Sequence, residues 1–211
     1  MDTLEAHETE DADLLEAWRS GDKAAGETLF LRHYERVSWF FHNKAGEHAL
    51  DLVQGTFLAC LETRDRIRET AAFRSYLFGV ARNVLHDHYR RKRRDRAQLD
   101  FTQKSAQDLA PSAITLIVKR QEQQLLLAAL RRIPVESQII LELIFWEKLT
   151  PRELAEVLEL KYHTARSRIR TAREQLKKAM RQVTKVPELV KTTLEDLEGW
   201  AQRVREDART H

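Results

Sequence analysis

The chain has 211 residues, 42% of them apolar, enough for one large or two small packed domains. Its formal charge is only +3, yet residues 1–13 hold Asp2, Glu5, Glu8, Glu10, Asp11 and Asp13 without a Lys or Arg, while arginines gather at 82–96 and 166–181. No apolar run approaches the roughly 18 residues a membrane helix needs, the N-terminus lacks a signal peptide's basic start and apolar middle, and the single Cys60 excludes a disulfide framework or a CxxC metal site. The expectation is a soluble, cytoplasmic chain without membrane insertion.

Six Gly, four Pro and few β-branched runs, with apolar residues recurring at helical period, predict an all-α class. Residues 1–10 read as a disordered acidic lead-in. A short helix follows at about 11–20 with Leu14, Leu15 and Trp18 apolar, broken by Ser20-Gly21-Asp22. The next runs from about 23 to 43, its stripe being Leu29, Phe30, Tyr34, Val37, Phe40 and Phe41. Another covers about 48–62 and is expected to bury Leu50, Val53, Phe57 and Leu61. Residues 64–70, RDRIRET, form a polar connection.

The stretch Phe73–Arg96 then carries three features at once. Phe73, Tyr76, Leu77, Val80 and Val84 make an apolar face. Asn83, His86 and Arg90 lie on another face. The end is a cationic run, Arg90, Arg91, Lys92, Arg93, Arg94 and Arg96. A core face, a side chain able to read a base edge and a basic end together suggest a helix laid against nucleic acid.

Residues 97–112 read as a linker. Helical pattern resumes at 113, stops at Pro134 and continues over about 135–147, with Ile139, Ile140, Leu143 and Ile144 inward. At 149–153, Thr150 is a helix N-cap, Pro151 the first helical residue and Glu153 the return partner of a capping box. Leu149 and Leu154 stand where a hydrophobic staple belongs. After a turn at 159–162 comes a helix with Ala165, Ile169, Ala172, Leu176 and Ala179 or Met180 inward. Arg166, Arg170, Arg173 and Lys177 form a separate stripe. Two helices across a short turn, the second basic on its outer side, are a helix-turn-helix. Its early positions, Tyr162, His163, Thr164, Arg166, Ser167 and Arg170, are placed to reach base edges, arginine to guanine being the commonest specific contact. Arg173 and Lys177 are placed to meet phosphate. Residues 183–211 form a tail whose helix, opened by Pro187, has an apolar face fit to cap the second domain, contact the first or bind another protein.

His42, His48 and Cys60 fit no metal-ligand spacing. No phosphate loop, nucleophile elbow or paired carboxylate stands out, so no catalytic residue, metal or cofactor is assigned. Two readings follow from the residues alone: a helix-turn-helix regulator that binds duplex DNA, and a helical interaction protein with incidental charge.

Four segments carry a resemblance. Asp51-Leu52-Val53-Gln54-Gly55-Thr56-Phe57-Leu58 is similar to a "DLVQEVFL" segment, and residues 73–83, FRSYLFGVARN, to "FRGWLFAIARN". Residues 133–138, IPVESQ, resemble an "LP…R" domain start, and 149–173 resemble "LSYEEIAEILGVPVGTVKSRLHRAR". These belong, in this order, to bacterial sigma factors of the extracytoplasmic-function (ECF) group, and the resemblance spans about 11–181. It implies two helical domains joined by a flexible linker: a region 2-like domain at 11–96 and a region 4-like domain at 113–182, followed by an extra C-terminal helix at 183–211. It also implies three partners: core RNA polymerase (beta-prime coiled coil and beta flap), promoter DNA and a possible anti-sigma factor. Asp51, Leu52, Val53, Gln54, Thr56 and Phe57 would dock on polymerase. The 64–72 connection with Arg66, and Asn83, would capture a flipped base of the −10 element. Arg82, His86, Arg90, Arg91, Arg93 and Arg94 would complete that contact. The helix-turn-helix would read the −35 element. Gly55 stands where the family has an acidic residue. Glu159 stands at the turn glycine, which implies a turn built differently.

Overall fold

The computed structural model describes residues 3–64, 67, 73–91, 105, 121–184, 186–197, 199, 200 and 203. Among the described residues nine α-helices follow in order: α1 (Thr3–Arg19), α2 (Lys23–Ala45), α3 (Ala49–Thr63), α4 (Phe73–Arg91), α5 (Gln121–Arg132), α6 (Val135–Leu141), α7 (Pro151–Val157), α8 (Tyr162–Val183) and α9 (Pro187–Glu195). Among the described residues there is no named strand; Ser105 and Pro134 form one isolated bridge. The expected linker at 97–112, apart from Ser105, and the helix start at 113 lie outside the described residues.

The first unit is α1–α4. Helix α1 begins at Thr3 rather than at 11, so residues 3–10 of the acidic lead-in are helical. Acidic residue types early in a helix suit the positive end of its dipole, which a disorder reading by composition ignores. Asp11 anchors α1 to α2: it accepts from Arg32 at 2.8 Å and meets the buried His33 at 2.7 Å. The Asp22 side chain caps α2 by accepting from the amides of Ala24 at 2.9 Å and Ala25 at 3.2 Å. Gly26 lets the Trp18 ring lie flat on α2, because a Cβ there would stand 2.4 Å from the ring. Leu29, Val37, Phe40, Phe41, Val53, Leu77, Phe78, Ala81 and Leu85 fill the core.

Several sequence expectations change here. Tyr34 is 46% exposed, Leu50 54% and Leu61 47%. Helix α3 turns Ala49, Leu52, Val53, Thr56 and Cys60 inward instead. The buried line of α4 runs through Leu77, Phe78, Ala81, Leu85 and Tyr89, while Tyr76, Val80 and Val84 are only partly covered. Covering α4 on two sides accounts for the shift, since α7 of the second unit packs on it as well.

The second unit is α5–α9. The helix expected over 135–147 breaks at Glu142 into a π-type turn, Glu142–Trp146, and Lys148 follows with φ 53°. The capping box is present: the Glu153 amide donates to Thr150 Oγ1 at 3.3 Å and the Thr150 amide to Glu153 Oε2 at 2.6 Å. Leu149 and Leu154 are both buried. Between α7 and α8 the chain turns at Glu159, whose φ is 54°. That is left-handed backbone, favoured by glycine, so the turn keeps such a conformation even with a side chain on it. Glu159→Gly is expected to raise stability by about 0.5–1 kcal/mol, relief of strain outweighing the extra freedom of the unfolded chain. Urea denaturation of the two proteins measures it; a loss of stability would refute the strain.

Candidate functional site

Helix α8 presents two sides. Ala165, Ala172, Leu176, Ala179 and Met180 are buried against the rest of the second unit. Tyr162, His163, Arg166, Ser167, Arg170 and Arg173 are exposed, and Thr164 and Lys177 are half-buried. The guanidinium of Arg166 lies 5.9 Å from the Tyr162 ring centre, and that of Arg173 lies 5.4 Å from the Phe145 ring centre. These stacks hold flexible cations against aromatic faces, leaving their outer N–H groups presented. Of the −35 candidates, Arg166, Arg170, Arg173 and Lys177 share one helix face, while Thr164 turns away from it. Helix α9 lies beside it: a cleft of about 1050 Å³ is lined by Arg166, Arg170, Arg173 and Lys177 on one side and Val190, Lys191 and Glu195 on the other. The tail thus packs on the second unit, with Val190, Thr193, Leu197 and Trp200 buried.

Helix α4 carries the −10 candidates. Asn83, Arg90 and Arg91 are exposed. Arg90 pairs with Asp87 at 2.9 Å. Arg66, Arg93 and Arg94 lie outside the described residues, as does most of the 64–72 connection. Arg82 and His86 are placed differently from Asn83. Arg82 donates to Glu136 at 2.9 Å, and His86 stands 3.5 Å from the same carboxylate. Glu136 is the second residue of α6, so these two side chains reach across to the other unit.

They are part of a wider seam. Arg36 meets Glu147 at 3.0 Å. Arg74 meets Glu153 at 3.5 Å, with Ser75 Oγ 3.4 Å from the same oxygen. Lys44, fully buried, pairs with Glu142 and donates to the Phe40 carbonyl at 2.6 Å. Arg131 donates back to the Asn43 carbonyl at 2.6 Å. Each of these ion pairs sets a cation of α2 or α4 against a carboxylate of the second unit. No local sequence pattern links these cations to Glu136, Glu142, Glu147 and Glu153; Glu153 reads from the sequence only as the partner of a helix cap.

Burial by itself would raise the Glu136 carboxyl, but hydrogen bonds and charge from His86 and Arg82 outweigh it and hold the group below its ordinary 4.5. Asp11 is likewise held below 3.8 by His33 and Arg32 against the pull of burial. A carboxyl depressed in the folded state contributes stability that is complete above the unfolded value and lost as pH falls through the folded one. Urea unfolding should therefore show no loss from these two groups down to about pH 4.5, and a loss below it. Glu136→Gln and Asp11→Asn should each flatten that acid limb; an unaltered limb would show that neither carboxyl is ionised by its partners.

The polymerase-docking candidates divide by burial. Val53 and Thr56 are inside the core and Leu52 is 9% exposed, while Asp51 and Gln54 are exposed and Phe57 is half-buried. The side chains reaching outward on α3 are Leu50, Asp51, Gln54, Phe57, Leu58 and Leu61. On α2, Leu31 at 70% and Tyr34 at 46% exposure add to the apolar outer surface. Tyr34 stacks on Phe57 with ring centres 6.3 Å apart. Leu50, Leu58 and Leu61 repeat at eight and three residues. That spacing returns to one helix face, whereas the sequence reading expects Leu50 and Leu61 in the core.

Among the described residues no helix is long and apolar enough to cross a membrane, and no His/Cys/Asp/Glu group of three or more is arranged to hold a metal ion.

Two family models match the chain: Sigma-70 region 2 over residues 29–95 and Sigma-70, region 4 over residues 123–176. The chain is 28% identical to the ECF RNA polymerase sigma factor SigM of Mycobacterium tuberculosis, over 81% of this chain and 84% of that one. It is 25% identical to the RNA polymerase sigma-H factor of Pseudomonas aeruginosa, over 81% and 94%. In fold it resembles CnrH, solved in complex with the cytosolic domain of CnrY. That match has a TM-score of 0.59 and 22% identity, and covers 83% of this chain and 99% of that one. It also resembles RpoE of Bartonella quintana, solved with the anti-sigma factor NepR. Here the TM-score is 0.54 and the identity 19%, over 73% and 93%. The arginine-bearing helix α4 in the first matched region, followed along the chain by the basic helix-turn-helix in the second, places this protein in the ECF group of RNA polymerase sigma factors.

Proposed function

We propose that the chain docks on core RNA polymerase through the outer face of α2 and α3, reads a −35 element with α8 and opens a −10 element with α4. The domains of this reading are 11–96, 97–112, 113–182 and 183–211. The protein directs polymerase to promoters by binding and not by catalysis. The observation that carries the reading is the exposed face of α8, where Arg166 and Arg170 project outward from a helix whose opposite side is buried. The uncovered apolar face of α2 and α3 favours polymerase docking over a regulator that binds duplex DNA alone. A helix of that basicity enters the major groove, where arginine pairs with guanine in a bidentate way.

Strand opening needs differential binding. Each lost stacking step costs about 1.4 kcal/mol, and extruding a base costs a few kcal/mol. Exposed Asn83, with Arg90 and Arg91 beyond it, can offset this only by gripping the separated strand better than the duplex. Two such modules on one chain gain effective concentration from their connection. The complex of RpoE with the anti-sigma factor NepR makes an anti-sigma partner for this chain part of the same reading.

Run-off transcription with core polymerase on a promoter library tests the proposal. No change in start sites on adding the protein would end it. In the same assay Arg170→Ala is expected to cost about 1–3 kcal/mol at a single −35 position. Arg91→Ala should weaken binding across sequences and flatten the salt slope. An equal shift of specificity by both would break the division of labour.

A further inference from the structure

The basic face of α8 has a neighbour on the side where DNA must arrive. Arg166, Arg170, Arg173 and Lys177 line one wall of the cleft of about 1050 Å³, and Val190 and Glu195 of α9 line the other. Arg166, Arg170 and Arg173 are exposed to water, but water and a duplex need different room. The major groove is about 12 Å wide, and a helix with its side chains is about 10–12 Å across, so one helix fills it. Two helices side by side do not enter. Helix α9 therefore stands where the edge of the groove must pass when Arg166 and Arg170 reach bases.

The attachment of α9 suits its removal. The helix has nine residues, a length that is marginal alone in water. Lys191 and Glu195 offset each other in charge on the cleft side, so burial of Val190, Leu197 and Trp200 is what holds the tail down. Thr193 is fully buried, and its hydroxyl has no hydrogen-bond partner among the described residues. That cost ends when the tail lifts and water reaches the group.

We propose that α9 and promoter DNA compete for the basic face of α8: with α9 in place the −35 contact is closed, and DNA binds there only in molecules whose tail has swung away. The inference rests on the reading of α8 as the −35 helix. Apparent affinity falls by the fraction of molecules open at any moment. Because such coupling is reciprocal, DNA expels the tail as strongly as the tail expels DNA.

The test uses the full chain. Spin labels at Thr192→Cys on α9 and Lys178→Cys on α8, both exposed positions, report the distance between tail and helix. Cys60 is buried and does not compete for label. The anisotropy of a fluorescein-labelled duplex of random sequence reports DNA affinity. Saturating duplex is expected to lengthen the label distance. Leu197→Ala, which loosens the tail and leaves the cations of α8 in place, is expected to bind the duplex about tenfold more tightly, within the usual range of coupling between two sites. Arg170→Ala shows where the duplex lies, since weaker binding puts it on α8. A duplex held through Arg170 at an unchanged label distance overturns the competition and leaves the reading of α8 intact. Binding indifferent to Arg170 refutes that reading and the competition with it. A folded Leu197→Ala whose label distance lengthens without a gain in affinity also overturns the competition. Should Leu197→Ala fail to fold, the labelled chain carrying Leu197 decides alone: a distance lengthened by DNA supports the competition, and a constant one overturns it.

Discussion

Glu142→Ala is expected to cost about 3–5 kcal/mol, the usual penalty for stranding a buried charge. Lys44 is fully buried in α2, and its ammonium has the Glu142 carboxylate, the Phe40 carbonyl at 2.6 Å and the face of the Phe40 ring at 4.1 Å. Burial lowers the lysine pKa, and Glu142 pulls in the opposite direction. Without the carboxylate, the ammonium must either lose its proton or stay charged in a site with too few acceptors. Gln138, which donates to Glu142 at 3.0 Å, loses its acceptor as well. The double replacement Lys44→Met with Glu142→Leu should come out close to wild type, because a shape-matched apolar pair carries no desolvation cost. Urea titration of the three proteins measures this. Since the pair joins the two units, Glu142→Ala should also split one unfolding transition into two. A single transition and a loss under about 1 kcal/mol would mean that water reaches Lys44.

Leu58→Asp is expected to weaken binding to core polymerase by about 2–4 kcal/mol, or roughly 30- to 1000-fold, while leaving the fold intact. Leu58 is 57% exposed and lies on the outer face of α3, between the half-buried Phe57 and the outward Leu61. An apolar side chain in that position gives up water only when a partner covers it, and a carboxylate there would be buried unpaired in the complex. Val53→Asp provides the contrast. Val53 is 1% exposed, so its replacement should abolish binding only by unfolding the first unit. Circular dichroism melts separate the two cases, and titration of labelled protein with core polymerase gives the affinities. Full-strength binding by Leu58→Asp would move the docking face elsewhere.

The all-α class and the two-part order of modules were legible in the sequence because both rest on local signals. Thr150, Pro151 and Glu153 specify a helix start within four residues, and the structure contains that capping box. The stripe of Arg166, Arg170 and Arg173 opposite Ala165, Ala172 and Leu176 is likewise set by the 3.6-residue period alone. Apolar period was a poorer guide on α3. Leu50 and Leu61 fit an inward face as well as Leu52 and Val53 do, and a helix with apolar residues on both sides does not state which side meets its own core and which a partner.

What the sequence by itself determined is the all-α class, the capping box at Thr150 and the face of α8 on which its cations stand, since these depend on neighbours three and four residues away. What only the tertiary structure decided is which cations are already occupied. Arg82 and Glu136 are 54 residues apart, and Lys44 and Glu142 are 98 apart. No local period links them; pairing over such distances exists only once the packing of two units has brought opposite charges together and removed the water between them.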